Sequence, residues 1–436
     1  MKITFFQGLW FFLIFVLIGG YFVLDGFDLG AGVLYPFVAK GDEEKAVVRT
    51  SIGPVWDGNE VWLLTAGGAL FAAFPAAYAT TFSGFYLAVM LVLFGLIVRA
   101  VSLEYRGIDH KWAKVWDGCF FVGSLLPALL LGVAVGNIYA GIPMSANGDY
   151  TGIPLLGLIT PFTLLCGLLG LSMFLAQGAS WLALKAPKPS DLQARAAKLR
   201  FPLQIVSLVL FVAVTAYALL GIQPAMDPLL GAVRWLLAAL FVVAIVASVF
   251  FAKSKDCDLG AFIAQSGAAA LLVLLLAASM FPNFVVASAD SVGPAITAMS
   301  AASSELTLMW MTIITCVGLP LVLVYHVIIY RTFRGRIEDD DLVWEYRRLF
   351  VGPAPKPAPP CSPTTGWRTG RPSARCTIST PTASTSRTRG PSTPAPCRTR
   401  SMRSARAAAR DARSKTAPTS CRRPTPRPSQ QRWRTS

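Results

Sequence analysis

The sequence predicts an all-α integral membrane protein with nine transmembrane helices. The 436 residues are 54% hydrophobic and only 14% charged, whereas a soluble domain is about 25% charged. Nine apolar runs approach the roughly 20 residues that a helix needs to cross a bilayer; they fall at 6–37, 57–74, 78–99, 118–137, 155–184, 203–221, 229–252, 259–281 and 306–330. Lys and Arg also alternate between the connections. With Arg99, which closes the third run, fourteen lie in or at the edge of the first, third, fifth and seventh, and none in the second, fourth, sixth and eighth. Basic connections stay on the cytoplasmic side, so the N-terminus is expected outside and the C-terminus inside.

The net charge of +16 misleads. Residues 351–436 hold 18 of the 39 Lys and Arg against a single acid, Asp411, and carry +17; the first 350 residues carry −1. The connections are too short for a sizeable domain outside the membrane.

The first run, "MKITFFQGLWFFLIFVLIGGYFVLDGFDLGAGVLYPF", has no A-x-A cleavage site and is expected as a retained span. Asp25 and Asp28 fall in its inner half, three residues apart and therefore on one helix face. Gly26, Gly30 and Gly32 beside them read as small residues for close helix packing. They are not a nucleotide loop, since no strand precedes them. The second run is short and opens on charge, in "PVWDGNEVWLLTAGGALFAAFP", with Asp57 and Glu60 among Trp56, Asn59 and Trp62. Without it the charge alternation would collapse, and Pro75 marks a hairpin turn to the third run. Arg99 and Glu104 end the third run, and Asp117 begins the fourth. The ionisable groups of four helices are thus expected at one depth near the cytoplasmic surface.

An ionised side chain at the bilayer centre costs about 2.5–3.5 kcal/mol on insertion scales, so such acids mark proton or ion paths or pair with a nearby base. Asp25 and Asp28 fit a path, with pairing to Arg99 as the structural alternative. Asp57 reads equally well as a relay acid or a helix N-cap, and Asp117 reads as an N-cap. The chain has only two histidines. His110 lies in a connection, and His326 is expected as an interfacial residue near the inner end of the last run. A bis-His haem site across helices is therefore not available. Cys119, Cys166, Cys257 and Cys316 are scattered, without CxxC spacing, and are expected as free thiols. Cys361, Cys376, Cys397 and Cys421 have no accompanying His, so no zinc site is expected.

The stretches "GYFVLDGFDLGAG", "IGPVWDGNEVWLLTAGGALFAAFPAAYATTFSGFYLAVMLVL" and "SSELTLMWMT" carry a specific resemblance. Over about residues 1–345 the chain resembles subunit II of the bacterial cytochrome bd quinol oxidases. The resemblance implies nine spans arranged as two four-helix bundles plus one peripheral helix. It implies a respiratory complex that oxidises quinol, reduces oxygen to water and takes the protons from the cytoplasm. Haem b and haem d would sit in a partner subunit I and none in this chain, with a structural quinone as a further candidate ligand. The expected partners are subunit I, a small single-span accessory subunit, quinol reached through subunit I, and membrane lipids, with no nucleic acid. The location implied is the bacterial inner membrane, N-terminus periplasmic and C-terminus cytoplasmic. By position, Asp28 and Asp57 match acids of the family's proton path, with Asp25 and Glu60 beside them. Trp62 matches a residue at the oxygen entry, and Arg99 a base at the inner end of the third span. Gln177 and Glu305 match family motifs, with packing or hydrogen-bonding roles. A proton-coupled secondary transporter is the competing class; it predicts broken helices at the midplane and an inverted repeat, neither of which the sequence displays.

The family usually ends soon after the last span. Here a basic, Arg/Ser/Thr/Pro-rich segment, 346–436, follows the membrane domain at 1–345. It cannot form a core. It is either a tail that binds anionic lipid or nucleic acid through its charge, or the out-of-frame translation of GC-rich DNA.

Overall fold

The computed structural model describes residues 3–109, 111–222, 228–254 and 257–338. His110 and the basic segment 346–436 lie outside them.

Eleven α-helices follow one another among the described residues. The first, α1 (Phe5–Val38), is started by a capping box in which Thr4 and Gln7 satisfy each other's backbone N–H. An amphipathic helix, α2 (Gly41–Ile52), comes next, with Asp42, Glu43 and Glu44 in its first turn and Arg49 in its last. These charges complement the helix dipole. Then come α3 (Trp56–Ala73), α4 (Pro75–Gly84), α5 (Tyr86–Tyr105) and α6 (Ala113–Ala140). The rest are α7 (Pro161–Lys185), α8 (Asp191–Tyr217, continued by one π turn), α9 (Pro228–Lys253), α10 (Asp258–Met280) and α11 (Glu305–Thr332). Among the described residues, eight are long and apolar enough to cross a membrane, and α3 is not one of them. Its polar opening, Asp57 to Glu60, dilutes the apolar run.

Three expectations change here. The run at 78–99 is not one helix: Phe85 ends α4 and starts α5. Gly84 leaves room for the loop that crosses it, since a Cβ there would lie 2.8 Å from the Cβ of Tyr150. The hairpin at Pro75 is tight, but it opens into α4 rather than directly into a span. The run at 155–184 loses its start to a short 3-10 turn (Leu156–Leu158), and the helix begins at Pro161 behind a Thr160 cap. The first connection holds α2, whose apolar face (Ala46, Val47, Val48, Ile52) is buried. Its i, i+1, i+2 valines and alanine are too few to announce a helix by periodicity alone.

α1 is the hub, packed against α3, α6, α7 and α10. With α3, α5 and α6 it makes one group of four; α7, α8, α9 and α10 make a second, and α11 lies outside both, against α1 and α3. The α1–α7 contact joins the groups, and it is backbone on backbone. A Cβ on Gly30 would stand 1.8 Å from the carbonyl oxygen of Phe174, and one on Gly178 would stand 2.4 Å from Gly30. The glycines of "DGFDLGAG" thus have the packing role their sequence suggests.

At the end of the helices opposite to the basic connections, the loops tie into a cap. β1 (Asn283–Val285) pairs antiparallel with β2 (Ile296–Thr297), Ile142 bridges to Ala287, and Ser303 donates its N–H to Ala73 O at 2.8 Å. Beneath it Phe11, Phe15, Phe74 and Phe284 stack at centroid distances of 4.4–6.3 Å. Gly178→Val should drive α1 from α7, because overpacking costs about 1–3 kcal/mol even where only side chains must shift. The measurement is the amount of assembled complex and its thermal midpoint; unchanged assembly would show that the helices can separate freely there.

Candidate functional site

One turn of α1, the start of α3 and the end of α5 meet at Arg99. Its side chain is 1% exposed, and Asp25 and Asp28 are 0% exposed. Arg99 grips Asp25 bidentately, Nη2 to Oδ1 at 2.7 Å and Nη1 to Oδ2 at 3.2 Å. The same Nη2 donates to Glu60 Oε1 at 2.7 Å. Two carboxylates from different helices therefore share one guanidinium, a fork geometry that lysine could not supply.

Asp28 belongs to the same pocket but not to Arg99's hydrogen bonds. Its Oδ2 accepts from Asn59 Nδ2 at 2.7 Å, while Oδ1 is buried and has no hydrogen-bond partner among the described residues. Asn59 also donates to Leu24 O at 3.1 Å, and its Oδ1 accepts from the Tyr330 hydroxyl at 3.1 Å. Three carboxylates thus surround one fixed cation, so a fully ionised cluster is over-negative and can hold protons. This is the arrangement that proton exchange needs: acidic oxygens, close together, screened from lipid by protein.

The remaining predicted residues fall as follows. Asp57 is exposed at the second position of α3 and makes no hydrogen bond or ion pair among the described residues. The N-cap is Val55, without a side-chain cap bond, so the capping reading of Asp57 fails. Trp62 is buried, and its Nε1 donates to His326 Nε2 at 3.1 Å. His326 is buried in the protein, and its Nδ1 is 2.9 Å from Val322 O. With both ring nitrogens engaged, it does not fit a haem ligand. Among the described residues no group of three or more His, Cys, Asp or Glu is arranged to hold a metal. Gln177 is buried and donates to Val23 O at 3.3 Å. Glu305 is instead exposed in the first turn of α11 with no hydrogen bond among the described residues, so its expected packing or bonding role fails.

The acids do not form one layer. Asp117, expected as a cap, sits inside α6, whose N-cap is Trp112. It anchors a second network, accepting from Tyr35 at 2.8 Å, Lys45 at 2.7 Å and Arg106 at 2.6 Å. A third network centres on Asp258, held by Arg336 at 2.7 Å, Arg200 at 3.0 Å and Lys188 at 3.3 Å. Sequence reasoning passed over Asn59, Tyr330, Lys45, Arg106 and Asp258 as partners. For Asn59 the signal was present, in the middle of "WDGNE"; for Tyr330 there was none, because 271 residues separate it from its partner.

A sequence model of the family described as cytochrome bd terminal oxidase subunit II matches residues 6–333. The chain belongs to this family. It is 36% identical over 375 residues to the cytochrome bd-I ubiquinol oxidase subunit 2 of Escherichia coli K12, covering 78% of this chain and 98% of that relative. It is 39% identical over 342 residues to the cytochrome bd ubiquinol oxidase subunit 2 of Bacillus subtilis, covering 76% and 96%. Its fold is similar to a chain in the structure of bd oxidase from Geobacillus thermodenitrificans, with a TM-score of 0.63 over 76% of this chain and 99% of that one. At 16% identity that likeness concerns the fold alone. The subunit is therefore a component of a quinol oxidase complex and an integral protein of the inner membrane, and haems belong to such a complex. Membership decides against the transporter class.

The ion-pair geometry makes a stability prediction. Removing one member of a buried pair leaves an uncompensated charge and costs about 3–5 kcal/mol, whereas replacing both by apolar groups can be nearly neutral. Arg99→Met should abolish or sharply lower assembly, and Arg99→Met combined with Asp25→Leu should recover part of the lost thermal midpoint. A double variant no better than the single would show that Arg99 is held mainly by Glu60.

Proposed function

We propose that this chain is the non-haem subunit of the oxidase, supporting a haem-bearing subunit I and helping to supply cytoplasmic protons to the oxygen-reducing site. The observation that carries the reading is the cluster of buried Asp25 and Asp28 and half-buried Glu60 around a single Arg99. No other group of intramembrane acids among the described residues holds more carboxylates than its cations neutralise. Asp57, one turn before Glu60 and exposed, is the acid that first meets water; Asp28 is the inner acceptor. Trp62, buried beside the cluster, lines the way for oxygen. A small accessory subunit, quinol reached through subunit I, and a structural quinone complete the assembly. The 1–345 segment is its nine-span membrane domain, with α3 as the ninth crossing helix, and 346–436 is a separate basic segment.

Proton uptake from the cytoplasm requires the basic connections on that side. A thiol reagent added outside the cell should label Asn147→Cys and spare Ala194→Cys; the reverse pattern would put the acid cluster on the wrong side for this role.

Asn keeps the size of Asp but not its exchangeable proton. Asp28→Asn and Asp57→Asn should each assemble with normal haem content, while quinol oxidase turnover falls about tenfold or more, at least ~1.4 kcal/mol in the limiting barrier. Full turnover in both variants would leave the cluster as a purely structural ion pair.

A further inference from the structure

α11 is the helix least embedded in the molecule, with most of its large side chains exposed. Leu308 is buried near its start, and near its other end His326 and Tyr330 turn inward, one helical turn apart. They meet α3 in antiparallel register, Tyr330 at Asn59 and His326 at Trp62. A helix held only by lipid-facing contacts has no need of two specific bonds to the acid-bearing turns.

Behind Tyr330 lies a cleft of about 830 Å³, large enough for many waters. Trp56 of α3 and Tyr330 of α11 line it, together with the charged groups Arg49, Glu104, Lys185, Arg334 and Arg336. Arg336 is committed to Asp258 and to the carbonyls of Ala183 and Ala186, and Arg49 to the Tyr35 hydroxyl. The cleft opens at the helix ends that carry the basic connections. Tyr330 is thus the group that touches both the cleft and the hydrogen bonds of Asp28. On the inner side, Asp28 faces Asp25 of its own helix, Glu60 and Asn59 of α3 and Arg99 of α5.

We infer that Tyr330 is the positioning residue of the proton-supply site: its hydroxyl fixes the Asn59 amide, and that amide fixes which oxygen of Asp28 is open to a proton arriving from the cleft. An amide has two faces of opposite character, a carbonyl and an NH2. With Tyr330 donating to Oδ1, Nδ2 must point at Asp28 Oδ2, as it does at 2.7 Å. Oδ2 is then occupied and Oδ1, without a partner, receives the proton. Uptake breaks one O–H bond of a hydronium ion arriving through the cleft, forms one on Asp28 Oδ1 and leaves a neutral water that returns to the aqueous phase. Without the hydroxyl the amide keeps only the bonds of Nδ2 to Leu24 O and Asp28 Oδ2, its carbonyl oxygen is left without a donor, and the orientation it imposes on the carboxylate loosens.

The inference rests on the proton-supply reading above. The test uses the purified complex with a soluble quinol, measuring turnover against pH, KM for quinol and haem content. Tyr330→Phe keeps the ring that stacks on His326 and packs on Trp181. It should leave haem content and KM unchanged, lower kcat about tenfold (~1.4 kcal/mol) and move the alkaline limb of the pH profile to lower pH, since scarce protons limit a misaligned acceptor first. Asn59→Ser should reproduce that profile, and the double variant should be no slower than the slower single one. Tyr86→Phe, exposed at the start of α5 away from the acids, should behave as the parent. A Tyr330→Phe profile that matches the parent, while Asp28→Asn loses turnover, overturns the positioning role and spares the proton-supply reading; parental turnover in both overturns both. If Tyr330→Phe does not assemble, Asn59→Ser carries the same test, and a parental pH profile there overturns the inference.

Discussion

The guanidinium of Arg99, sealed in the protein and shared between Asp25 and Glu60, is the constraint on which the rest of the site depends. A lone arginine or carboxylate at that depth would cost several kcal/mol in desolvation. Together they hold α1, α3 and α5 in one register, because the fork of Arg99 reaches both acids only when Asp25 and Glu60 face the same point. Once those helices are set, Asp28 follows, one turn below Asp25. It arrives in a place where the local cation is already taken. An acid that is buried, close to other acids and outside the cation's hydrogen bonds is suited to exchange protons rather than to hold the fold.

That cluster needs a dense setting, and the setting comes from glycine. The approach of α7 to α1 through Gly30 and Gly178 brings Phe174 and Gln177 against the acid-bearing turn and keeps lipid away from it. The two outer networks, on Asp117 and Asp258, do different work. Each carboxylate there is surrounded by cations and hydroxyls, so it is fully committed; these pairs tie α1 and α2 to α6, and α8 and α10 to the end of α11. Their full set of partners sets these acids apart from Asp28, whose Oδ1 has none among the described residues.

The sequence errors have a common origin. Asp117 reads as a cap because it precedes an apolar run, but its helix starts four residues earlier and lifts it into reach of Tyr35 and Lys45. The run at 78–99 reads as one span because hydropathy does not register a chain crossing at Gly84. The sequence places His326 only by its position near the inner end of the last run; its inward direction, beside exposed Tyr325 and Val327, is set by Trp62 on another helix. In each case a local pattern was outweighed by a contact from far along the chain.

Membrane class, the approximate helix limits, the alternation of basic connections and the acids Asp25, Asp28, Asp57 and Glu60 were all legible in the sequence. They follow from hydropathy, period and charge, which are properties of neighbouring residues. The "WDGNE" and "DGFDLGAG" stretches even marked where the acids around Arg99 gather. Tertiary structure alone decided that Arg99 serves two acids, that Asp28 is left for Asn59, and that Tyr330 and His326 reach them from a helix at the edge. Such pairings depend on how helices rotate and tilt against one another, which is fixed by the summed packing of the whole bundle and leaves no trace in any single stretch.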